Sequence, residues 1–289
     1  MAHTSSVPLR LLEGDGPTTA FVLGGGGNLG AIQVGMIRAL VDRGITPDVV
    51  VGCSVGALNA ACLAADPTPT GVDHLEHVWR TLDGEAICPP GRLSGLWLLT
   101  RKYRALQSNA GLRKLIETSL PFRRFEETTI PLHVVATSLR TGRERWFTSG
   151  PVVEPILASA ALPAVFPPVM IDSELFIDGA VVDNVPLSRA LAVGADRIYV
   201  LHVGNFDKPR PEPKRPIDAL LQSFSIARNY RFLAETASPP EGVEIVVLPS
   251  LDPENVKYND FSRSDELIAR GRSVTGSFLD AQEEAASSA

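Results

Sequence analysis

Residues 19–65 read TAFVLGGGGNLGAIQVGMIRALVDRGITPDVVVGCSVGALNAACLAA. An apolar run, TAFVL, has the pattern of a strand and meets four consecutive glycines. Beyond them Ile32, Gly35, Met36, Ala39 and Leu40 recur at helical spacing, and Gly44 closes the run as a C-terminal cap. A second apolar strand, DVVVG, leads directly into CSVGALNAACLAA, which again reads as a helix. This β-α-β-α alternation implies parallel strands joined by a right-handed crossover, and therefore an α/β fold.

Four glycines in a row are costly in chain entropy, so they suggest backbone positions no other residue can occupy, or a close approach to something bound. Gly25-x-Gly27-x-x-Gly30 matches the dinucleotide-binding pattern G-x-G-x-x-G. The same exposed N–H groups could instead hold an oxyanion formed during acyl transfer. The loop by itself leaves both readings open.

Working outward, strands are expected at PLHVVATSL, ERWFTS, LFID, RIYVLHV and VEIVVL, with helices near 73–82, 109–119, 152–160, 186–193, 217–237 and 264–280. Residues 1–18 read as a flexible leader and 281–289 as a flexible tail. The proline-rich, charged segment NFDKPRPEPKRP, from Asn205, reads as an exposed loop. A length of 289 residues with 44% hydrophobic content suits one large domain. The net charge of −6 gives no general attraction to nucleic acid. Cys53, Cys62 and Cys88 are an odd number without metal-ligand spacing, as expected of reduced thiols in the cytoplasm. No basic start with a sustained apolar core marks a secretion signal, and no apolar run is long enough to span a bilayer, so membrane contact would be peripheral.

Gly52-Cys53-Ser54-Val55-Gly56 matches G-x-S-x-G between a strand and a helix, the context in which that motif projects a serine hydroxyl at a strained turn. The blander role for Ser54 is an N-cap. Cys53, beside the projected position, should point into the packing. Of the five histidines, His3 lies in the leader, His74 and His77 on a charged helix, and His133 and His202 in strands. Only His202 could complete the order Ser, Asp, His, with Asp178 or Asp183 as the acid. The other available base is a carboxylate. ELFIDGAVVDNVP puts Asp178 at the end of an apolar strand, where it can reach a crevice, although Asp-Gly is also a common turn pair. Partial desolvation would make such an aspartate a better base.

Together GGGGNLG, GCSVG and DGAVVDNVP resemble the patatin-like phospholipase family, over roughly Thr19 to Gly204. The resemblance implies a three-layer fold with a mixed, mainly parallel sheet and helices on both faces. Residues 19–204 would then form the catalytic domain and 205–280 continue it. It also implies backbone oxyanion donors from Gly25, Gly26 and Gly27, Ser54 as nucleophile and Asp178 as proton acceptor in a dyad without histidine. Gly30, Gly52, Gly56, Gly179 and Ala180 complete the motifs. No metal or cofactor is implied. The implied substrate is a lipid carboxylic ester, cleaved by a phospholipase, lysophospholipase or lipid esterase. ASAALPAVFPPV, Ala158 to Val169, is similar to the family's segment before the aspartate, and ordinary packing is expected of it. Asn184 and Pro186 are expected to shape the turn after Asp178.

Two positions depart from the family pattern: Leu29 stands where a basic residue is frequent, and Gln33 where a histidine is. A missing charge beside the oxyanion hole would affect rate or head-group preference, and a degenerate lipid-binding protein is the corresponding non-enzymatic reading. For the dinucleotide alternative, Asp48 has nearly the right spacing but begins its strand, while the elbow occupies the ribose position. In GRLSGLWLLTRKYRAL, Leu96, Trp97 and Leu98 precede Arg101, Lys102 and Arg104, so this stretch is either a peripheral membrane contact or a core helix with a basic end.

Overall fold

In β1 (Thr19–Leu23) alternate side chains enter two different cores. Phe21 and Leu23 join the large cluster on one side of the sheet, and Ala20 and Val22 the smaller cluster on the other. This is the two-residue period of a strand buried on both faces, and it requires helices on both sides. A computed structural model describes residues 17–87, 108–163, 165–204, 212–213, 216–237, 239–251 and 260–288. Residues 1–16, Cys88, Leu96, Trp97, Leu98 and most of the proline-rich loop lie outside them.

Five strands form a parallel array in the order β3-β2-β1-β7-β8, with β2 (Val49–Cys53), β3 (Leu132–Ser138), β7 (Arg197–Leu201) and β8 (Glu244–Val247). Three antiparallel strands complete the sheet. β4 (Glu144–Phe147) and β6 (Glu174–Asp178) both pair with β3, and β5 (Val169–Ile171) pairs with β6. The mixed, mainly parallel three-layer α/β architecture is therefore present. β5 is a strand that hydrophobic alternation did not reveal, because PPVMI holds only three extended residues after two prolines.

On the larger-core side lie α1 (Gly30–Val41), α2 (Val55–Ala65), α3 (Pro69–Thr81) and α6 (Val153–Ser159). Short α4 (Gly84–Ile87) and α5 (Ala110–Ser119) border them. α7 (Leu187–Ala192) and α8 (Pro216–Thr236) contribute to the smaller core. α9 (Ser264–Ser287) packs across α1. A Cβ on Gly35 would lie 2.1 Å from the Ile268 carbonyl oxygen, and one on Gly271 would lie 2.5 Å from that of Ile32. The two helices thus touch backbone to backbone.

Two expectations change at the edges. Thr18, placed in the leader, is fixed: its N–H donates to Asp196 Oδ2 at 2.7 Å, and its carbonyl accepts from Asp196 and Arg197. At the other end α9 continues through 281–287, which were read as a flexible tail. Acidic residues Glu283 and Glu284 keep that last stretch exposed without interrupting the helix. Cys62 is buried in the larger core, and burial pushes its thiol up to about 12, consistent with a small apolar residue. Among the described residues no helix is long and apolar enough to cross a membrane.

Candidate active site

The meeting of Ser54 and Asp178 follows from strand pairing. β2 pairs with β3 over Leu132–Val135, and β4 covers β3 from Val134 to Thr137. A strand has two edges, so β6, which pairs with Ala136–Ser138, occupies the edge that β2 has just left. β2 runs parallel to β3 and β6 antiparallel, so their carboxyl ends point at each other. Cys53 lies opposite Val135 and Asp178 opposite Ala136, which brings the residue after Cys53 to the carboxylate.

Ser54 has φ 55° and ψ −127°, a left-handed conformation that a serine adopts only where the surroundings enforce it. Close contact of helix and strand supplies the constraint. A Cβ on Gly56 in the first turn of α2 would lie 2.3 Å from the Leu23 carbonyl oxygen, so only glycine lets α2 start there. The result is a sharp elbow with Ser54 Oγ donating to Asp178 Oδ2 at 2.8 Å. Asp178 Oδ1 accepts from the Ala180 N–H at 2.8 Å, which fixes the carboxylate plane. Gly52 precedes Cys53 in a strand buried along its whole length, and Gly179 and Ala180 form the turn after the carboxylate. Cys53 is buried, its Sγ 3.9 Å from Asp178 Oδ1, and it packs with Val135 and Ala180 as expected.

The segment Ala158–Val169 does more than fill space. Ser159 Oγ accepts from the Ser54 N–H at 2.9 Å, and the Ala161 carbonyl accepts from the Asp178 N–H at 3.0 Å. One stretch of chain therefore grips both residues. Thr137 Oγ1 adds a bond to the Asp178 carbonyl at 2.9 Å. No local pattern in ASAALP distinguishes Ser159 from a packing residue, because its partner is 105 positions away.

The glycine loop requires a correction. Gly25 N–H donates to the Asn184 carbonyl at 2.9 Å and is not available to a ligand. Of the three expected donors only those of Gly26 and Gly27 remain without a partner among the described residues. The Val55 N–H, at the start of α2 and next to Ser54, is a further uncommitted donor among them. Gly30 opens α1 directly behind the loop.

Beneath the loop lies a buried polar network. Gln33 Nε2 donates to the carbonyls of Gly24 at 2.6 Å and Leu201 at 2.9 Å, while its Oε1 accepts from Asn59 Nδ2 at 2.9 Å. Asn59 also donates to the Gly30 carbonyl and accepts from Trp79 Nε1. The loop carbonyls are thereby held inward. Gln33 thus anchors the backbone of the loop. A polar residue inside the apolar run AIQVGMI is the signal that could have marked it as a buried anchor. Asn28 Nδ2 donates to the Asp260 carbonyl at 2.7 Å, tying the loop to a segment 232 residues later.

Ser54, Asp178, Gly25, Gly26 and Gly27 line a cavity of about 320 Å³. Its wall is otherwise apolar, with Leu58, Trp79, Leu112, Ile156, Phe166 and Phe261 among its residues. Leu29 belongs to that wall, so its lack of charge keeps the lining apolar. His202 lies just beyond β7, its ring 5.6 Å from that of Phe232, and does not line the cavity. Asp183 is buried beside Arg231, at 3.2 Å, and burial pushes its carboxyl up to about 7 against the pull of that cation. Neither residue stands between Ser54 and Asp178. Among the described residues no group of three or more His, Cys, Asp or Glu could hold a metal ion.

The chain is similar to several known proteins. Lysophospholipase nte1 of Aspergillus terreus is 28% identical over 236 residues, covering 80% of this chain and 14% of that protein. Lysophospholipase NTE1 of Mycosarcoma maydis is 30% identical over 204 residues, covering 68% and 10%. The chain therefore spans only a small part of the length of these relatives. Among solved structures, VipD from Legionella pneumophila aligns over 92% of this chain and 67% of its own, with a TM-score of 0.48 and 15% identity. ExoU, solved in complex with SpcU from the type III secretion system of Pseudomonas aeruginosa, aligns over 92% and 52%, with a TM-score of 0.43 and 15% identity. Residues 21–191 match the model of the family described as patatin-like phospholipase, and the chain belongs to that family.

Proposed function

We propose that this chain is a serine acyl hydrolase that cleaves lipid carboxylic esters through a Ser54–Asp178 dyad. The observation that carries the reading is the 2.8 Å bond from Ser54 Oγ to Asp178 Oδ2 at the wall of an apolar cavity. The acyl chain lies in the cavity with its carbonyl over Ser54. As Oγ attacks the carbonyl carbon, its proton passes to Asp178 Oδ2, and the oxyanion faces the N–H groups of Gly26, Gly27 and Val55. The start of α2 adds the positive end of its dipole. Collapse of the tetrahedral intermediate breaks the ester bond, and the departing alcohol takes the proton from Asp178. Water then attacks the acyl-enzyme, giving its proton to Asp178, and as the acid leaves that proton passes from Asp178 to Ser54 Oγ. The lysophospholipase relatives favour single-chain phospholipids as the substrate class. A peripheral lipid contact at Leu96, Trp97 and Leu98 belongs to the same reading.

Hydrolysis of a short-chain p-nitrophenyl ester by Ser54→Ala, Asp178→Asn and His202→Ala, each checked for folding by circular dichroism, tests the dyad. The first two should lose at least about a thousandfold in kcat, and the third should stay near wild type. Loss in His202→Ala comparable to that in Ser54→Ala would replace the dyad with a triad. Trp97→Asp should weaken binding to phosphatidylcholine vesicles while sparing the soluble ester; equal loss of both would remove the lipid contact.

A further inference from the structure

Once Gly25 is excluded as a donor, the site holds one polar group to which the proposed mechanism gives no part. Of the polar side chains lining the cavity, Ser54 and Asp178 bond each other and the indole N–H of Trp79 is held by Asn59, so among the described residues Asn184 alone lacks a hydrogen-bond partner. Asn184 is only 3% exposed, and its Oδ1 is buried without a partner. A single point off the Gly25 Cα lies 2.7 Å from Asn184 Oδ1 and 3.1 Å from Ser54 Cβ, so the amide stands beside the nucleophile. Leaving a buried amide unpaired is costly, and a protein retains such a group where a ligand completes it.

We propose that the Asn184 side-chain amide is an oxyanion donor, standing in for the Gly25 N–H that the Asn184 carbonyl has occupied. Its Oδ1 is shut in against Gly25, so the NH2 is the end left to meet a ligand. The residue is firmly placed. Its carbonyl holds Gly25, and the preceding Asp183 is fixed by Arg231 at 3.2 Å. In an apolar cavity a few placed polar groups set the orientation of the ligand, and a preorganised amide aimed at developing charge stabilises the transition state more than the ground state. The backbone bond to Gly25 survives any side-chain replacement, so the amide can be removed without releasing the loop.

This assignment rests on the hydrolase reading, and the experiment separates the two. Asn184→Ala and Asn184→Asp are assayed on a short-chain p-nitrophenyl ester and for inhibition by an alkyl trifluoromethyl ketone, whose adduct with Ser54 carries an oxyanion. Asn184→Asp keeps the size and the acceptor but loses the donor. Both variants should lose about 10²–10³ in kcat with KM within about threefold, and the ketone Ki should rise by a matching factor. Binding of the corresponding methyl ketone, which forms no stable oxyanion, should be unchanged. A folded Asn184→Asp enzyme with kcat near wild type, or a fall in kcat without a rise in the trifluoromethyl ketone Ki, overturns the assignment while Ser54-dependent hydrolysis stands. If wild-type hydrolysis is absent or indifferent to Ser54→Ala, the hydrolase reading fails and the assignment fails with it.

Discussion

A glutamine in the middle of an apolar helix is the residue on which the loop depends. Gln33 is fully buried and uses both ends of its amide, one on the Gly24 and Leu201 carbonyls and the other on Asn59. Gln33→Leu keeps the volume and strands three polar groups, so urea unfolding should show a loss of about 2 kcal/mol or more. If the network also aims the Gly26 and Gly27 N–H groups, kcat on a soluble ester should fall by more than KM changes; an unchanged kcat would reduce Gln33 to a packing role. Ser54 and Asp178 were legible because each sits in a local motif whose geometry is fixed by neighbouring glycines. Gln33 was visible only as a departure from the family pattern. The Gly25 donor was misread because its acceptor, the Asn184 carbonyl, is backbone, and backbone carries no residue-type signal.

Between elements, the crossing of α1 and α9 bears most directly on the site, since α1 begins where the glycine loop ends. At the contact Gly35 and Gly271 leave no room for a Cβ, and Arg43 and Arg272 close the rim on the Gly276 carbonyl and on Asp42. Gly271→Val adds three carbons, the first of them 2.5 Å from the Ile32 carbonyl oxygen, and that backbone cannot yield as a flexible side chain would. A loss of about 1–3 kcal/mol in a urea titration is expected, against a far smaller effect of Val274→Ala on the exposed face of α9. Equal effects would mean that α9 shifts freely on α1. The β-α-β-α start and most later helices were readable from apolar spacing, which is set within each element. Docking partners were not readable, because a glycine in a helix looks the same whether it meets solvent or another backbone. β5 escaped for want of length.

For the molecule as a whole, half-buried His133 and buried Asp183 titrate in opposition. Burial, reinforced by the Arg189 guanidinium that donates to its Nδ1 at 2.8 Å, pushes His133 from 6.5 down to about 3. Between those values the unfolded chain binds a proton that the fold refuses, so this contribution to stability is lost as pH falls from 6.5 toward 3. Asp183, raised from 3.8 to about 7 chiefly by burial, works the other way: the fold holds the proton, and stability is lost as pH rises from about 4 to 7. From about pH 4 to 6.5 the two slopes offset each other. His133→Gln should therefore make the melting temperature fall with rising pH relative to wild type, and Asp183→Asn should make it rise. Identical pH profiles in all three proteins would show that neither group titrates as its burial demands.

The strand order was legible only in part, since pairing of β1 with β7 or of β6 beyond β2 joins residues far apart in sequence. That same distance sets a time. The loop amide of Asn28 closes on the Asp260 carbonyl 232 residues later, and Phe261 finishes the cavity wall. At a synthesis rate of about 5–20 residues per second, roughly ten to fifty seconds separate the first piece of the cradle from the last. During translation the elbow and the carboxylate are both made well before the cavity is walled in. A growing chain therefore carries its reactive pair beside an unfinished pocket, and the grip on lipid comes only when the ribosome has passed the helix that clasps α1.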